Sequence, residues 1–449
     1  MNKTVSIVTL NYNGKQYLQP LFESLQKQTY QPCEIVMVDN ASVDGSVEFV
    51  EQRFPNVRII RNSENVGFAG GNNSALRHCR GEYIALINND MIADERYIEW
   101  LVRSLEEQQA DVTGGKILFY TPFVTLRVEV KTFVPNEHNG GGDVRALGCM
   151  IASDIAIDDV PYKKNIFLAN TFGEEKAGEL AFHWLSNEAV IKIPVDLKLS
   201  RHRLRMKLAV SDMQKEEEVT MRLGEEVIFQ KRVSNQFSEC TVDIDPALIK
   251  KYVCHVVNNA SSEFNTHSGG GRDVGIYEDD KGQYDTPHTA QAICGGSMLI
   301  RREVIDRYGL FDDYFFAYYE DTDFSWRLNR AGKKLFFEPR AFVYHVHTGT
   351  SKEWSPFFRY HVERNRLAML LKNARLFDAA REWGGFFLKT ARDAWRMVRR
   401  RVFKRQPKTE ADSVVWIHLR VCGDLLLHIP ALLWKRLYFV IALEQHDSV

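Results

Sequence analysis

Two aspartates early in the chain each follow a short apolar run, where a carboxylate can take part in binding. Asp39 follows the run 35–38, and a carboxylate at a strand end can accept a hydrogen bond from a ribose hydroxyl or a base edge. Asp90 follows the run 83–87 and two asparagines, and a carboxylate in that position can hold a hard divalent cation. The alternative for either residue is to cap the helix that follows it.

A second set of reactive groups lies in the last third of the chain. Glu320, Asp321 and Asp323 follow four aromatic residues, and an aromatic wall can desolvate a carboxylate and raise its pKa toward that of a useful general base. Carboxylates at a helix start are also ordinary capping residues, so the alternative is a structural role. His345 and His347 end an apolar, β-like stretch, and a neutral imidazole there is either structural or a ligand for Mn²⁺.

These side chains need a scaffold that brings several strand ends together, and the first third of the sequence predicts one. The predicted strands are 5–10, 34–38, 57–60 and 83–87, and the predicted helices are 17–28, 46–53, 72–79 and 96–108. Such repeated units predict a parallel sheet with helices on both faces and ligands beyond the carboxyl ends of the strands. The turn 11–14 lacks the GxGxxG pattern of a dinucleotide-binding dehydrogenase, which disfavours that class.

Five motifs occur in order along the chain: VSIVTLNYNG, VDNASVDGS, NVGFAGGNN, GEYIALINND and GLFDDYFFAYYEDTDFSWRLNRAGKKLFFEPRAFVYHVH. Together they resemble the family 2 glycosyltransferases of the GT-A fold, and most closely their rhamnosyltransferase-like branch. The resemblance covers about residues 5–120 and 282–373. It implies an α/β nucleotide-diphospho-sugar transferase fold, with a mixed, mostly parallel sheet and flanking helices.

The resemblance also implies roles for individual residues. Asp321 matches the general base at the start of a helix, and Asp90 matches the last carboxylate of a DxD-like motif that binds metal and donor. His345 has the spacing of a histidine that completes the metal site, with His347 as the alternative, and the implied cofactor is Mn²⁺ or Mg²⁺. Because asparagines replace the rest of the DxD motif, cation binding should be weaker than with a full motif.

Further residues match the family's substrate contacts. The implied donor contacts are Thr9, Asn11, Asp39, Asn65, Gly67, Asn72, Asn88 and Arg364, and the implied acceptor contacts are Gly296, Tyr319 and Glu320. The glycine-rich stretch 65–73 leads into a helix, so its backbone amides are candidates for binding the nucleotide phosphates. Arg364, next to Asn365, is assigned to a diphosphate or an acceptor phosphate, and the alternative for this pair is a solvated helix face.

The alternation of strands and helices stops after residue 120, and runs of alternating apolar and polar residues follow. This pattern predicts an antiparallel β-sandwich similar to the jelly-roll modules that accompany carbohydrate enzymes. We therefore expect a catalytic domain in two parts, 1–121 and 281–373, an inserted sandwich at 122–280, and a basic helical tail at 374–449. Two similar glycine-rich stretches, 140–148 and 269–275, indicate a weak repeat within the sandwich.

The inserted sandwich is expected to bind or position the acceptor glycan. Phe182, His183 and Trp184 are candidates for a platform on which sugar rings pack, and the alternative is that Trp184 lies in the core of the sandwich.

The net charge of −1 indicates no overall attraction to nucleic acid or to a membrane. Residues 357–449, however, hold 18 Lys and Arg against nine Asp and Glu, interleaved with aromatic and apolar residues. Polar residues interrupt every apolar span of about 18 residues there, so amphipathic helices on an anionic membrane face are favoured over a spanning helix. The alternative is a helical pair packed on the catalytic domain.

The sequence therefore predicts an inverting, metal-dependent glycosyltransferase. It moves a sugar such as rhamnose from a nucleotide-diphosphate sugar to a glycan or lipid-linked glycan in cell-surface polysaccharide synthesis. Seven cysteines without a CxxC pair, and a start unlike a signal peptide, favour the cytoplasm and the inner face of the membrane, with no nucleic-acid partner. The alternative is a non-catalytic glycan-binding or scaffold protein on a degenerate GT-A core, which the reduced 88–90 motif suggests.

Overall fold

The computed structural model describes residues 3–139, 142–158, 160–161, 167–346, 355–403, 407 and 409–444. The chain divides into two units, the first built from 1–118, 257–276 and 282–449 and the second from 119–256 and 277–281. Each unit is described by itself below.

The first part of the first unit alternates strands and helices. Its strands are β1 (Val5–Asn11), β2 (Cys33–Asp39), β3 (Arg58–Arg61), β4 (Tyr83–Ile87), β5 (Met91–Ala93) and β6 (Val112–Phe119). Its helices are α1 (Lys15–Gln26), α2 (Ser46–Arg53), α3 (Gly67–Ala75) and α4 (Tyr97–Glu107). All four predicted strands and all four predicted helices are present, with bounds that shift by a few residues.

The second unit follows with strands and two short helices. Its strands are β7 (Phe123–Val130), β8 (Met150–Ala152), β9 (Ala156–Ile157), β10 (Val160–Pro161), β11 (Phe167–Thr171), β12 (Glu175–Ala177), β13 (Leu180–Pro194), β14 (His202–Ala209), β15 (Glu216–Leu223), β16 (Glu226–Ser234) and β17 (Ser238–Ile244). Its helices are α5 (Pro135–Asn139) and α6 (Pro246–Tyr252).

The chain then returns to the first unit. The returning strands are β18 (Val257–Asn259), β19 (Ser262–Phe264), β20 (Gly271–Asp273), β21 (His288–Thr289), β22 (Ser297–Arg301) and β23 (Leu335–His345). The returning helices are α7 (Arg302–Tyr308), α8 (Glu320–Arg330), α9 (Pro356–Asn373), α10 (Leu376–Val398) and α11 (Glu410–Glu444).

Ten strands of the first unit form one mixed sheet, in the order β21-β23-β6-β22-β4-β1-β2-β3, with β18 beside β6 and β5 beside β23. The strands β1 to β4 pair in parallel, whereas β22 runs antiparallel between β4 and β6. In the β1–β2 register Asn11 lies opposite Asp39. The carboxyl ends of β1, β2 and β4 therefore meet at one edge of the sheet.

Helices cover both faces of this sheet. In β1, Val5 and Ile7 pack into one apolar cluster with residues of α1, α2 and α4, and Val8 packs into another with residues of α3, α7 and α8. This division follows from the period of two along a strand, which sends alternate side chains to opposite faces. The predicted α/β fold with flanking helices is confirmed.

The second unit is an antiparallel sheet of eleven strands, in the order β10-β9-β14-β8-β13-β7-β15-β16, with β11 and β12 beside β13 and β17 beside β14. The long strand β13 pairs with β7 near one end and with β8 near the other. Alternate residues of β7, namely Val124, Leu126 and Val128, are fully buried in its core. The predicted antiparallel domain is confirmed, and its jelly-roll connectivity stays a prediction.

The aromatic residues proposed as a glycan platform lie mostly inside the second unit. Trp184 and Phe182 are buried, and their rings pack edge to face against each other. Phe133 packs on Trp184 in the same cluster. Trp184 thus belongs to the core, as the alternative expected, and glycan binding by this unit stays a prediction without that platform.

The predicted insertion, 122–280, is interrupted, because 257–276 belong to the first unit and 277–281 to the second. The strand β18 adds to β6 of the first unit, and β19 and β20 form a hairpin there, so 257–276 belong to the first unit. The second glycine-rich stretch, 269–275, is therefore not a repeat within the β-sheet insertion. Alternation of apolar residues alone did not distinguish the returning strands from those of the insertion.

The two tail helices, α10 and α11, pack on α8 and α9 within the first unit. Trp326 of α8, Leu367 of α9, Phe386 of α10 and Leu425 of α11 share one apolar cluster. Among the described residues one segment, Ala411–Phe439 of α11, is long and apolar enough to cross a membrane by length and composition, with a mean hydropathy of 1.3. The tail thus forms a packed helical pair, as the alternative interpretation predicted.

Candidate functional site

The ends of β1 and β2 are joined by a polar network. Asn11 donates a hydrogen bond from Nδ2 to Asp39 Oδ1 at 3.2 Å, and the amide of Ser42 donates to Asp39 Oδ2 at 3.0 Å. Asp39 is buried, and α2 begins seven residues later, so Asp39 does not cap it. Thr9 is also buried, and its hydroxyl has no partner among the described residues. Donor binding by Thr9, Asn11 and Asp39 stays a prediction, which their position at the strand ends supports.

The glycine-rich stretch 65–73 contacts the loop that precedes α8. Gly67 has φ +78°, and a Cβ there would lie 2.5 Å from the carbonyl oxygen of Phe316, so only glycine fits. The amides of Phe68 and Ala69 donate to that same oxygen at 2.5 and 3.1 Å. Because these first amides of α3 already bind protein, phosphate binding by them stays a prediction without support from their surroundings.

Two asparagines of this stretch, both predicted donor contacts, also bind protein. Asn65 Oδ1 accepts a hydrogen bond from the amide of Gly67 at 2.9 Å. Asn72 is buried and donates to the carbonyl oxygen of Phe68 at 2.9 Å. Asn65 is exposed, so of the two it is the better placed for a ligand.

Asp90 and His345 lie next to each other where β5 pairs with β23. His345 Nε2 lies 3.0 Å from Asp90 Oδ2, and both side chains are about 15% exposed. The pairing of β5 with β23 fixes this distance, because it places His345 opposite Met91. His347 lies outside the described residues. The two predicted metal ligands are therefore together, although binding of a metal by them stays a prediction.

The Asp90–His345 pair is suited to a divalent cation. Asp90 Oδ1 is buried without a hydrogen-bond partner in the described part of the chain, and carboxylate oxygen and imidazole nitrogen are both ligands for Mn²⁺. Among the residues that the structure describes, no three His, Cys, Asp or Glu side chains converge on one metal position. A cation held by this pair would need further ligands, and phosphate oxygens commonly serve as ligands for Mg²⁺.

Asn88, two residues before Asp90, contacts the predicted acceptor residue Gly296. Its amide donates to the carbonyl oxygen of Gly296 at 3.2 Å. A Cβ at residue 296 would lie 2.8 Å from Asn88 Nδ2, so the glycine allows this close approach.

Asp321 occupies the first turn of α8. The amide of Gly295 donates to its Oδ2 at 2.9 Å, and the amide of Thr322 donates to its Oδ1 at 2.6 Å. Burial nevertheless raises the pKa of Asp321 above the usual range of an aspartate. A raised pKa makes the carboxylate a stronger proton acceptor, as a general base requires.

The two other carboxylates of the motif are more deeply buried. Burial and the neighbouring Asp321 hold the pKa of Glu320 well above its usual value, and its Oε2 has no partner within the described residues. Asp323 is fully buried and accepts from Lys372 Nζ at 2.8 Å and from Asn373 Nδ2 at 2.7 Å. Asp323 is thus structural, whereas an acceptor contact for Glu320 stays a prediction.

The sequence pattern did not indicate Asp273, which lies beside this motif. Burial, and after it the charge of Asp321, raises the pKa of Asp273. Asp273 Oδ1 accepts from Asn259 Nδ2 at 2.6 Å, and the hydroxyl of Tyr319 is hydrogen-bonded to the backbone of Gly271 in the same strand. Only the return of the chain after the insertion brings β20 here, so no local signal marked Asp273.

The Arg364–Asn365 pair is buried and binds the loop before α8. Arg364 Nη2 donates to the carbonyl oxygens of Tyr314 and Phe315 at 2.7 and 3.0 Å. Asn365 Nδ2 lies within 2.8 Å of three carbonyl oxygens, those of Phe315, Ala317 and Tyr318. This pair is therefore neither on a solvated helix face nor in an open phosphate site. The phosphate contact of Arg364 stays a prediction without support from its surroundings.

Comparison with known proteins identifies the family. The family model "Glycosyl transferase family 2" matches residues 6–153, and "Glycosyl transferase family group 2" matches residues 250–442. The chain belongs to glycosyltransferase family 2. With the sheet order found here, its fold is the α/β GT-A fold with an added antiparallel sheet domain and C-terminal helices.

Curated relatives match about a quarter of the chain. Glycosyltransferase GlyG of Streptococcus pneumoniae is 34% identical over 123 residues, which are 27% of this chain and 41% of that protein. The poly(ribitol-phosphate) beta-glucosyltransferase of Bacillus spizizenii is 33% identical over 120 residues, 25% of this chain and 19% of that protein. The chain thus spans less than half the length of each of these relatives.

Solved structures are similar at low sequence identity. The mannosyltransferase PcManGT from Pyrobaculum calidifontis, in complex with GDP-Man and Mn²⁺, is 12% identical, with 100% of this chain and 88% of that chain covered and a TM-score of 0.40. GalNAc-T7 with UDP, GalNAc and Mn²⁺ is 12% identical, with 93% and 54% covered and a TM-score of 0.45.

Proposed function

We propose that this protein is an inverting, metal-dependent glycosyltransferase that moves a sugar such as rhamnose from a nucleotide-diphosphate sugar to a glycan or lipid-linked glycan in surface polysaccharide synthesis. The observation that carries the proposal is Asp321, a carboxylate of raised pKa in the first turn of α8. Membership of family 2 and the Asp90–His345 pair in the same unit support it.

The proposed reaction is a single displacement. An acceptor hydroxyl gives its proton to Asp321, its oxygen bonds to the anomeric carbon, and the bond from that carbon to the diphosphate breaks with its electron pair on the departing nucleoside diphosphate. One displacement inverts the anomeric configuration, and one base is enough for it. A divalent cation, Mn²⁺ or Mg²⁺, bound by Asp90 and His345 would offset the charge of the diphosphate.

The chain's own groups prepare this step. The amides of Gly295 and Thr322 fix the direction of the Asp321 carboxylate. Asn11 and Asp39 at the neighbouring strand ends are the groups assigned to the nucleotide. The Gly295-Gly296 turn brings the backbone close to both Asn88 and Asp321, so donor and acceptor sides meet there.

Thermal unfolding with a panel of nucleotide-diphosphate sugars, with and without Mn²⁺, tests donor binding. A bound donor raises the stability of the folded state by about 2.7 kcal/mol at a hundredfold excess over its Kd. We expect one donor to raise Tm, and more strongly with Mn²⁺. If no nucleotide sugar raises Tm, the proposal fails, and binding without any transfer would favour the non-catalytic alternative.

We also propose that the protein works in the cytoplasm, bound at the inner face of the membrane through the exposed faces of α10 and α11. Along one side of α11 lie Trp416, Leu427, Trp434 and Tyr438, each more than half exposed. Their spacing places them on one helix face. Exposed tryptophans and leucines of this kind insert at the boundary between headgroups and acyl chains.

Basic residues at the end of α10 and directly after it complement an anionic headgroup layer. Arg392, Arg396 and Arg399 are exposed around Trp395, which is 62% exposed. The face of α11 opposite to its exposed tryptophans is buried against the rest of the first unit. There Arg436 Nη1 donates to the carbonyl oxygens of Leu371 and Ala374. Because a spanning helix would lose such contacts, α11 lying on the surface is favoured. Of the basic tail, Lys404, Arg405 and Lys408 lie outside the described residues.

Flotation with vesicles tests this surface. We expect binding to phosphatidylglycerol vesicles at low salt and none to phosphatidylcholine vesicles. Replacing Arg392, Arg396 and Arg399 with Gln should weaken binding roughly a hundredfold, since each basic residue contributes about 1 kcal/mol. The exposed Arg232→Gln of the second unit is the matched control. Absence of binding by the full chain at low salt would refute the membrane location.

A further inference from the structure

The loop 312–319 leads directly into the helix that carries Asp321. Three of its residues, Phe316, Tyr318 and Tyr319, have φ between 61° and 69°, a left-handed conformation that costs energy for a residue with a side chain. Such a loop persists only where its surroundings hold it. The residues that hold it therefore decide where the carboxylate of Asp321 points.

One side of this support comes from α9. As described above, Arg364 and Asn365 bind the carbonyl oxygens of the loop. Lys372, on the same helix, binds Asp312 at the start of the loop at 2.7 Å and Asp323 of α8 at 2.8 Å. Lys372 is buried, so these two ion pairs are shielded from water.

The other side comes from α11, far along the chain. The hydroxyl of Tyr314 donates to Asp424 Oδ2 at 2.7 Å. Lys435 Nζ donates to Asp312 Oδ1 at 2.5 Å, so Asp312 lies between two ammonium groups. The tail helix α11 thus contacts the loop at two residues, Asp312 and Tyr314. Both precede the left-handed part of the loop.

The charges agree with this arrangement. Burial acts to raise the pKa of Asp312, but Lys372 and Lys435 outweigh it and hold that pKa well below its usual range. Burial and Asp424 raise the pKa of the Tyr314 hydroxyl, which therefore stays protonated and donates its hydrogen. Both contacts are consequently formed at neutral pH.

We propose that α11 is part of the catalytic apparatus, with Asp424 and Lys435 as positioning residues that hold the loop 312–319 and so aim Asp321 at the acceptor hydroxyl. This inference rests on the proposed function of Asp321. The helix whose outer face carries the exposed tryptophans then also orients the base with its inner face.

Kinetics of transfer test the proposal. Tyr314→Phe removes one oxygen atom, and Asp424→Ala removes its partner. We expect each to lower kcat about tenfold while the KM for the donor changes less than about twofold, because an interaction that only orients the base is lost from the chemical step. Two residues that act through one contact are not additive, so the double variant should be no slower than the slower single variant.

Lys435 offers a second test. Lys435→Met should lower kcat in the same way, and Lys435→Arg should restore most of it, since the cation beside Asp312 is retained. Leu426→Ala is the matched control, because Leu426 lies on α11 and is exposed, away from the loop. Its kcat on a soluble acceptor should equal that of the wild type.

Hydrogen exchange of the amides 312–319 separates this proposal from the proposed function. We expect exchange there to be at least about tenfold faster in Asp424→Ala and unchanged in Leu426→Ala, whether or not the wild type transfers sugar. Unchanged exchange and unchanged kcat in a folded Tyr314→Phe would overturn the proposal. So would a double variant whose loss equals the product of the two single losses.

Discussion

Asn365 Nδ2 lies 2.7 Å from the carbonyl oxygen of Tyr318, and this one side-chain amide holds a residue in the left-handed conformation two residues before the α8 helix. The same nitrogen also approaches the carbonyl oxygens of Phe315 and Ala317. Asn365 is fully buried, so no water can replace it. The shape of the loop before Asp321 therefore depends on a residue of α9.

Replacing Asn365 should destabilise the protein and displace the base. We expect Asn365→Ala to lower the free energy of unfolding by about 1–3 kcal/mol, because buried carbonyl oxygens lose their donor. Asn365→Asp should cost more, since a carboxylate would face three carbonyl oxygens. Urea unfolding measures both.

The control for Asn365 is Asn329→Ala, an exposed asparagine whose Nδ2 donates to the carbonyl oxygen of Gln291. We expect Asn329→Ala to lower the free energy of unfolding by less than about 1 kcal/mol. An Asn365→Asp protein as stable as the wild type would contradict the role of this amide.

Asp321→Asn should nearly abolish transfer. The amide keeps the shape of the side chain but cannot accept the proton, so we expect kcat to fall more than about 100-fold, equivalent to about 2.7 kcal/mol. Donor affinity, measured by calorimetric titration, should remain that of the wild type. Asp306→Asn, on an exposed carboxylate of α7, is the control and should keep full activity. Near-normal turnover of Asp321→Asn would exclude it as the base.

The pH profile of kcat/KM should report the raised pKa of Asp321. A base acts only when ionised, so activity falls as pH drops through that pKa, and the midpoint should lie above the value of about 4 usual for aspartate. A midpoint at or below about 4 would contradict a raised pKa of the base.

His345→Ala should raise the metal requirement. Loss of one of two protein ligands weakens the site, so we expect the Mn²⁺ concentration for half-maximal activity to increase at least about tenfold. Titration of Mn²⁺ into chelator-treated enzyme measures it, with the exposed His288→Ala as the control. An unchanged Mn²⁺ dependence would remove His345 from the metal site.

The sequence predicted the parts of the site that are local. The strands β1 to β4 and the helix start at Glu320 follow from apolar runs and a contiguous motif. The distant pair Asp90 and His345, which the family resemblance implied, also meets. Asp273 and Asn365 could not be assigned in this way. Their contacts depend on the return of the chain after the second unit and on the packing of α9, which periodicity and spacing along the sequence do not encode.

Arg364 shows that the sequence does not reveal which polar residues are buried. An exposed arginine and a buried one look alike in a sequence, and the phosphate contact assigned to Arg364 rested on the match to an Arg-Asn pair of the family branch. The structure instead shows its guanidinium bound to backbone carbonyl oxygens of Tyr314 and Phe315. A buried donor set of this kind is defined only by tertiary packing.

Sugar transfer by this chain is tested most directly by mass spectrometry of a lipid-linked glycan acceptor incubated with Mn²⁺ and each nucleotide-diphosphate sugar in turn. We expect one donor to add a single sugar residue with the wild type. The same donor should add none with Asp321→Asn, although that variant still binds it. An acceptor mass that stays unchanged with every donor, or equal product from Asp321→Asn, would contradict the proposed function.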